Sequence, residues 1–154
     1  MPTFDATKSG PNANSYATVD EADDYFEFEY GADEWNSLDD DTKERLLVTA
    51  TRMINRFKPL YDKLDENQSL NFPMDVSPDG FDIAKEACII QAIHLHRNHE
   101  NFQEALAGMI QGLKKESLGK TSKEVTGYNP MGRYAPGVLK MLSNYVVTAL
   151  QVSR

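Results

Sequence analysis

Between Asp82 and His96 apolar residues cover most of a helical circumference. Ile83, Ala87, Ile90 and His94 form one stripe, Ala84, Cys88, Gln91 and Leu95 run beside it, and Ile89, Ala92 and Ile93 widen the surface. A helix this apolar cannot lie on the outside of a domain, so other elements must pack around it. That requirement predicts a mainly α fold with this helix at its centre.

Two further helices have clear starts. Thr18 is placed to cap a first helix, with Glu21 three residues later to complete a reciprocal capping box. Ala22, Tyr25 and Phe26 form its apolar stripe, and Gly31 offers a stop after Tyr30. Trp35 and Leu38 precede a second start, where Asp39 is the N-cap and Asp40 and Asp41 sit in the first turn, favoured there by the helix dipole. Leu46, Ala50, Met53, Ile54 and Phe57 share one face of this helix, with Leu47 flanking it, until Lys58-Pro59 ends it after roughly five turns. Residues 59–80 read as irregular, punctuated by Pro73 and by the turn Pro78-Asp79-Gly80.

The predicted architecture is a compact three- to four-helix bundle with a small β-hairpin and an extended C-terminal segment, all in one domain. Residues 1–17 are an N-terminal arm and 18–108 the helical core, with a short extra helix over 101–108. Residues 109–126 read as the hairpin, turning at Gly119-Lys120-Thr121. Residues 127–154 are a loop and last helix, with Pro136 in the first turn and Val138, Leu139, Leu142, Tyr145, Val146 and Leu150 apolar.

The 154 residues suffice for a core without staples, and 40% of them are hydrophobic. One cysteine, Cys88, cannot form an internal disulfide, which fits a reducing cytoplasm. No apolar run approaches the about 20 residues of a membrane helix, and Met1-Pro2-Thr3-Phe4 lacks the basic start of a signal peptide, so neither membrane nor secretion is expected. Charge is uneven. Residues 1–81 hold 7 Lys/Arg against 18 Asp/Glu, net −11, whereas residues 82–154 hold 9 against 6, net +3. Eleven acids and no base lie between Asp20 and Asp41. Such a run repels phosphate, and its ordinary role is a solvated helix face.

No catalytic constellation, metal site or cofactor site emerges. His94 and His96 point about 200° apart on a helix; only His96 and His99 share a face, and two imidazoles without further ligands make a poor site. Gly119-Lys120-Thr121 lacks the upstream glycine of a phosphate loop, since position 114 is Lys. Cys88 reads as a small core residue. Lys114, Lys115, Lys120 and Lys123 are basic enough for one or two phosphate contacts. Tyr128, Arg133 and Tyr134 combine aromatic and arginine side chains in a loop, as protein–protein anchors do.

The chain resembles small head–tail connector (adaptor, head-completion) proteins of tailed phages, a family whose members often carry a DnaT-like single-stranded-DNA-binding label. The resemblance rests on Ala13-Asn14-Ser15-Tyr16, the run Val19 to Phe26, Trp35 with Leu38, Lys43-Glu44 through Leu47, Ala50-Thr51, Met53-Ile54, Gln68-Ser69-Leu70-Asn71-Phe72-Pro73, and Ala87-Cys88 with Gln91-Ala92. These cover residues 13–96 in the family's order. The family often has Trp-Pro-Arg where this chain has Phe72-Pro73-Met74, and a second Pro where it has Gly80-Phe81.

The resemblance implies a structural virion protein, made in the host bacterial cytoplasm and located at the head–tail interface. It would join a homo-oligomeric ring, usually a dodecamer, beneath the portal protein and above a tail or stopper/nozzle protein. Double-stranded DNA would pass through the centre without specific binding. In that setting Asp39, Asp40 and Asp41 are candidate channel-facing acids. Tyr128, Met131, Arg133, Tyr134, Leu139, Leu142 and Tyr145 are candidate partner-interface residues, and removing residues 127–154 is expected to abolish incorporation while leaving the helical core folded. The competing expectation, from the family label, is a single-stranded-DNA-binding protein. Against it, Trp35, Tyr25 and Phe26 lie in the acidic half, whereas such binding wants a basic groove with exposed aromatics.

Overall fold

The computed structural model of the chain describes residues 2–116 and 130–147. In order it contains α1 (Val19–Glu27), α2 (Asp33–Asn36), α3 (Asp40–Asn55), α4 (Gly80–Glu116), a 3₁₀ turn (Pro130–Arg133) and α5 (Val138–Leu142). Among the described residues extended backbone pairs only as isolated bridges, so the fold is mainly α, as the central apolar helix requires.

α3 and α4 form the central pair, with α1 against α3 and α5 against α4. Small residues on α4 let the two long helices approach closely. Ala84, Ala87, Cys88 and Ala92 are fully buried, and the Cys88 Sγ lies 3.2 Å from Thr51 Oγ1 and 3.5 Å from the Leu47 carbonyl. Around this seam Tyr16, Trp35, Leu47, Ile54, Phe72 and Met74 are sealed from solvent.

Both predicted caps are present. The Thr18 hydroxyl accepts from the Glu21 amide while the Glu21 carboxylate accepts from the Thr18 amide, and Asp39 accepts from the Thr42 amide at 2.7 Å. The N-terminal arm closes on itself. Asn14 Oδ1 accepts from the Asp5 amide, the Asp5 carbonyl accepts from the amides of Asn14 and Ser15, and Ser69 ties the carbonyls of Gly10 and Ala13 to the 56–79 loop. Within that loop the buried Gln68 donates to the carbonyls of Leu70 and Pro73 and accepts from the Asp65 amide.

Several boundaries differ from expectation. α1 stops at Glu27, not Tyr30, because the chain must turn back to bring Trp35 against Phe26, with ring centroids 5.1 Å apart. The buried face of α3 is rotated toward Leu47 and Thr51, leaving Leu46 and Phe57 at its margin. Most importantly, α4 is one helix of 37 residues. The separate helix over 101–108 is part of it, the expected boundary at 108/109 falls inside it, and residues 109–116 are helical and not the first part of a hairpin. Gly108 and Gly112 read as breakers in isolation, but each costs an established helix only about 1 kcal/mol, and propagation is far cheaper than nucleation. The remainder of the hairpin, 117–126, lies outside the described residues.

The C-terminal segment is also different from a peripheral extension. Val138, Leu142 and Val146 are fully buried, and the Leu60 amide bonds the Tyr145 carbonyl while the Val147 amide bonds the Lys58 carbonyl, both at 2.8 Å. Gly80 accommodates this closure, since a Cβ there would fall 2.9 Å from the Tyr145 ring. Removing residues 127–154 would therefore open the core. This packing argues against the expectation that the helices fold without them.

One ion pair inside the acidic region is structural. Lys43 is only 7% exposed at its side chain, and its ammonium lies 2.9 Å from Asp23 Oδ1, which also accepts from the Trp35 indole at 2.8 Å. Replacing Asp23 by Ala strands a nearly buried cation and an indole N–H together, so Asp23→Ala should cost about 2–3 kcal/mol in urea denaturation, against under about 0.5 kcal/mol for the exposed neighbour in Asp24→Ala.

Candidate functional site

The surface is divided by charge. Of the eleven acids between Asp20 and Asp41, eight are exposed: Asp20, Asp24, Glu27, Glu29, Asp33, Asp39, Asp40 and Asp41. The other three have partners: Asp23 as above, Glu21 with Lys85 at 2.6 Å, and Glu34 with Arg97. Burial opposes the charge on Glu21, but the Lys85 ammonium and the Thr18 amide outweigh it and hold its carboxyl below the usual range. The Thr42 amide does the same for Asp39. Asp39, Asp40 and Asp41 therefore stand together at the exposed start of α3, with Asp39 committed to the cap.

A groove of about 920 Å³ opens between α3, α4 and the 3₁₀ turn, with Glu34 of α2 on its lining. Leu46 and Leu95 contribute apolar surface, and Arg45, Arg97 and Arg133 with His96 and His99 bring its basic character, against Glu34 and Glu100. Arg97 also donates to the Gly31 carbonyl at 2.7 Å, which ties the groove's rim to the turn after α1. That turn carries two aromatic side chains in full solvent, Phe28 at 91% exposure and Tyr30 at 102%.

The residues proposed from sequence as a partner interface are divided. Tyr128 lies outside the described residues, and Met131 has its backbone in the 3₁₀ turn. Arg133 lines the groove. Tyr134 is half-buried, packs its ring at a tilt on Phe57 with centroids 5.1 Å apart and donates to the Met53 carbonyl; burial raises its pKa. Leu142 is in the core and Tyr145 packs on Phe72, while Leu139 is partly buried. Much of this set is thus spent within the chain. The segment is held by Gln91 of α4, fully buried, whose amide donates to the Arg133 carbonyl and accepts from the Ala135 amide, both at 2.7 Å.

His94 is half-buried beside Asn98, and burial lowers its pKa, whereas His96 and His99 face the groove. Among the described residues no three His, Cys, Asp or Glu side chains stand close enough to hold a metal. Burial pushes the Cys88 thiol up to about 11, which keeps it a protonated core group. Lys120, Lys123 and the Gly119-Lys120-Thr121 turn lie outside the described residues, and Lys114 and Lys115 fall in the last turn of α4. Of the aromatics weighed for stacking, Trp35 and Phe26 are interior and Tyr25 is half-buried. Sequence reasoning missed Phe28, Tyr30, Arg45 and Arg97. The signal for the first pair was two aromatics after a helix whose stripe had already been filled by Ala22, Tyr25 and Phe26.

These features define a small, mainly helical protein. A family model described as "Putative DnaT-like ssDNA binding protein" matches residues 4–117, most of the chain, and the chain belongs to that family. No curated protein and no solved structure matches it.

Glu21 gives the fold a pH dependence. Its pKa is depressed by folding, so its contribution is present above its ordinary value near 4.5 and is lost as pH falls through the lower folded value. Glu21→Gln should be less stable than the native chain at pH 7 in urea titrations, and should lose less stability between about pH 5 and pH 3.

Proposed function

We propose that the protein is a structural adaptor, a head–tail connector subunit of a tailed phage that forms a ring beneath the portal protein and lets double-stranded DNA pass. The observation that carries this reading is the exposed acidic flank from Asp20 to Asp41, paired with an indole that is buried and hydrogen-bonded to Asp23. A surface of that kind repels phosphate instead of gripping it. The family match also spans the segments that carry the resemblance to connector proteins, Ala13 to Tyr16 and Gln68 to Pro73 among them. The proposed site of action is the virion, with a tail or stopper protein below the ring and no catalytic role.

A second reading, binding of single-stranded DNA, is favoured by the family's description and by the groove lined by Arg45, Arg97 and Arg133. Two measurements separate the readings. Quantitative mass spectrometry of purified virions should give this protein and the portal protein in a ratio near one; absence from the particle sinks the connector reading. Filter binding of oligo-dT across a salt series should give weak retention, and tight binding with a steep salt slope would establish the second reading instead.

If α3 begins at the channel wall, reversing Asp40 and Asp41 to Lys slows DNA ejection several-fold while sparing the Asp39 cap. Unchanged ejection kinetics would remove the start of α3 from the wall.

A further inference from the structure

We propose that the turn carrying Phe28 and Tyr30 docks into the arginine-lined groove of a second copy of this chain. The turn is not a frayed end. The Glu29 amide bonds the Phe26 carbonyl, the Ala32 amide bonds the Glu29 carbonyl, Gly31 takes φ +81°, and Arg97 clasps the Gly31 carbonyl. Two aromatic rings are thereby held out in water on a fixed backbone, at 91% and 102% exposure. Aromatic side chains presented at low conformational cost are the usual anchors of protein–protein contacts.

The groove has the complementary character. Leu46 and Leu95 offer apolar contact, and its volume of about 920 Å³ lies in the range that accommodates several side-chain-sized groups. Arg45, Arg133, His96 and His99 stand along it, and of its two carboxylates, Glu34 and Glu100, Glu34 is engaged by Arg97. Around the aromatics the turn carries Glu27, Glu29 and Asp33, all exposed. An apolar tip with a carboxylate collar meets an apolar floor with an arginine rim, so charge complementarity selects the orientation and opposes docking of the acidic faces on each other. The Arg97–Gly31 bond keeps the turn at the rim of its own groove, which leaves the contact to be made between molecules.

This contact deepens the connector reading, since a ring is built from copies of this chain; virion incorporation tests that reading, and association in solution tests the contact separately. Sedimentation velocity of the full chain over a wide concentration range should show reversible self-association that weakens with salt. Phe28→Ser/Tyr30→Ser and, separately, Arg45→Glu should each raise the association midpoint at least tenfold, with circular dichroism and thermal midpoints unchanged because all three residues are exposed. Mixing the two variants should recover a one-to-one complex, since each retains the half that the other lacks. A native chain that stays monomeric at every concentration overturns the proposal. So does association that neither variant weakens, or a mixture that fails to recover. Loss of oligo-dT retention in both variants, without any self-association of the native chain, would assign the same surface to nucleic acid and overturn it as well.

Discussion

The side-chain amide of Asn55 is the point on which the distant parts of the chain converge. It sits at the end of α3, and its Oδ1 accepts from the Tyr16 hydroxyl at 2.7 Å and from the Asn71 amide at 2.8 Å. The Asn71 side chain returns the contact to the Asn55 carbonyl. Tyr16 in turn gives its backbone amide to Thr51 and sets its ring edge-on to Phe72 and Phe81. The polar cluster thus joins the N-terminal arm, α3 and the long loop, and the Tyr16 ring carries the contact on to Phe81 at the start of α4. Burial makes it consequential: an unpaired amide or hydroxyl in such a place costs as much as several exposed hydrogen bonds contribute. Tyr16 and Asn71, far apart in sequence, meet at this one side chain.

How much of the fold was legible depended on how local its cause was. The Thr18–Glu21 box and the Asp39 cap involve residues three apart, and both form as the sequence predicts. The central helix was legible because its apolar circumference leaves no other place for it. The face of α3 was legible to within about a third of a turn. Thr51 was overlooked because a hydroxyl scores as polar, although here it satisfies the Tyr16 amide. The continuation of α4 through Gly108 and Gly112 was hidden, since local breakers were weighed without the momentum of a helix already formed.

The candidate site was less legible, for the same reason. The eleven acids between Asp20 and Asp41, with no base among them, look uniform in sequence, yet Glu21, Asp23 and Glu34 are bound to Lys85, Lys43 and Arg97 from other elements. Arg45 and Arg97 lie in different helices, and only the α3–α4 packing brings them to one groove. Conversely, Tyr134, Leu142 and Tyr145 resemble interface residues because aromatic and aliphatic anchors serve cores and contacts alike.

The placement of α5 has a bearing on how the chain is made. With its neighbours Ala135 and Val146, its buried side chains close a core whose remaining members all lie at Leu95 or earlier, and the bridge between Pro59 and Val146 joins segments separated by most of the domain. During synthesis the surface around Met53 and Gln91 must wait uncovered until these residues leave the ribosome. The nascent chain would then depend on chaperones that hold apolar surface, and folding would finish as a single late event instead of growing helix by helix.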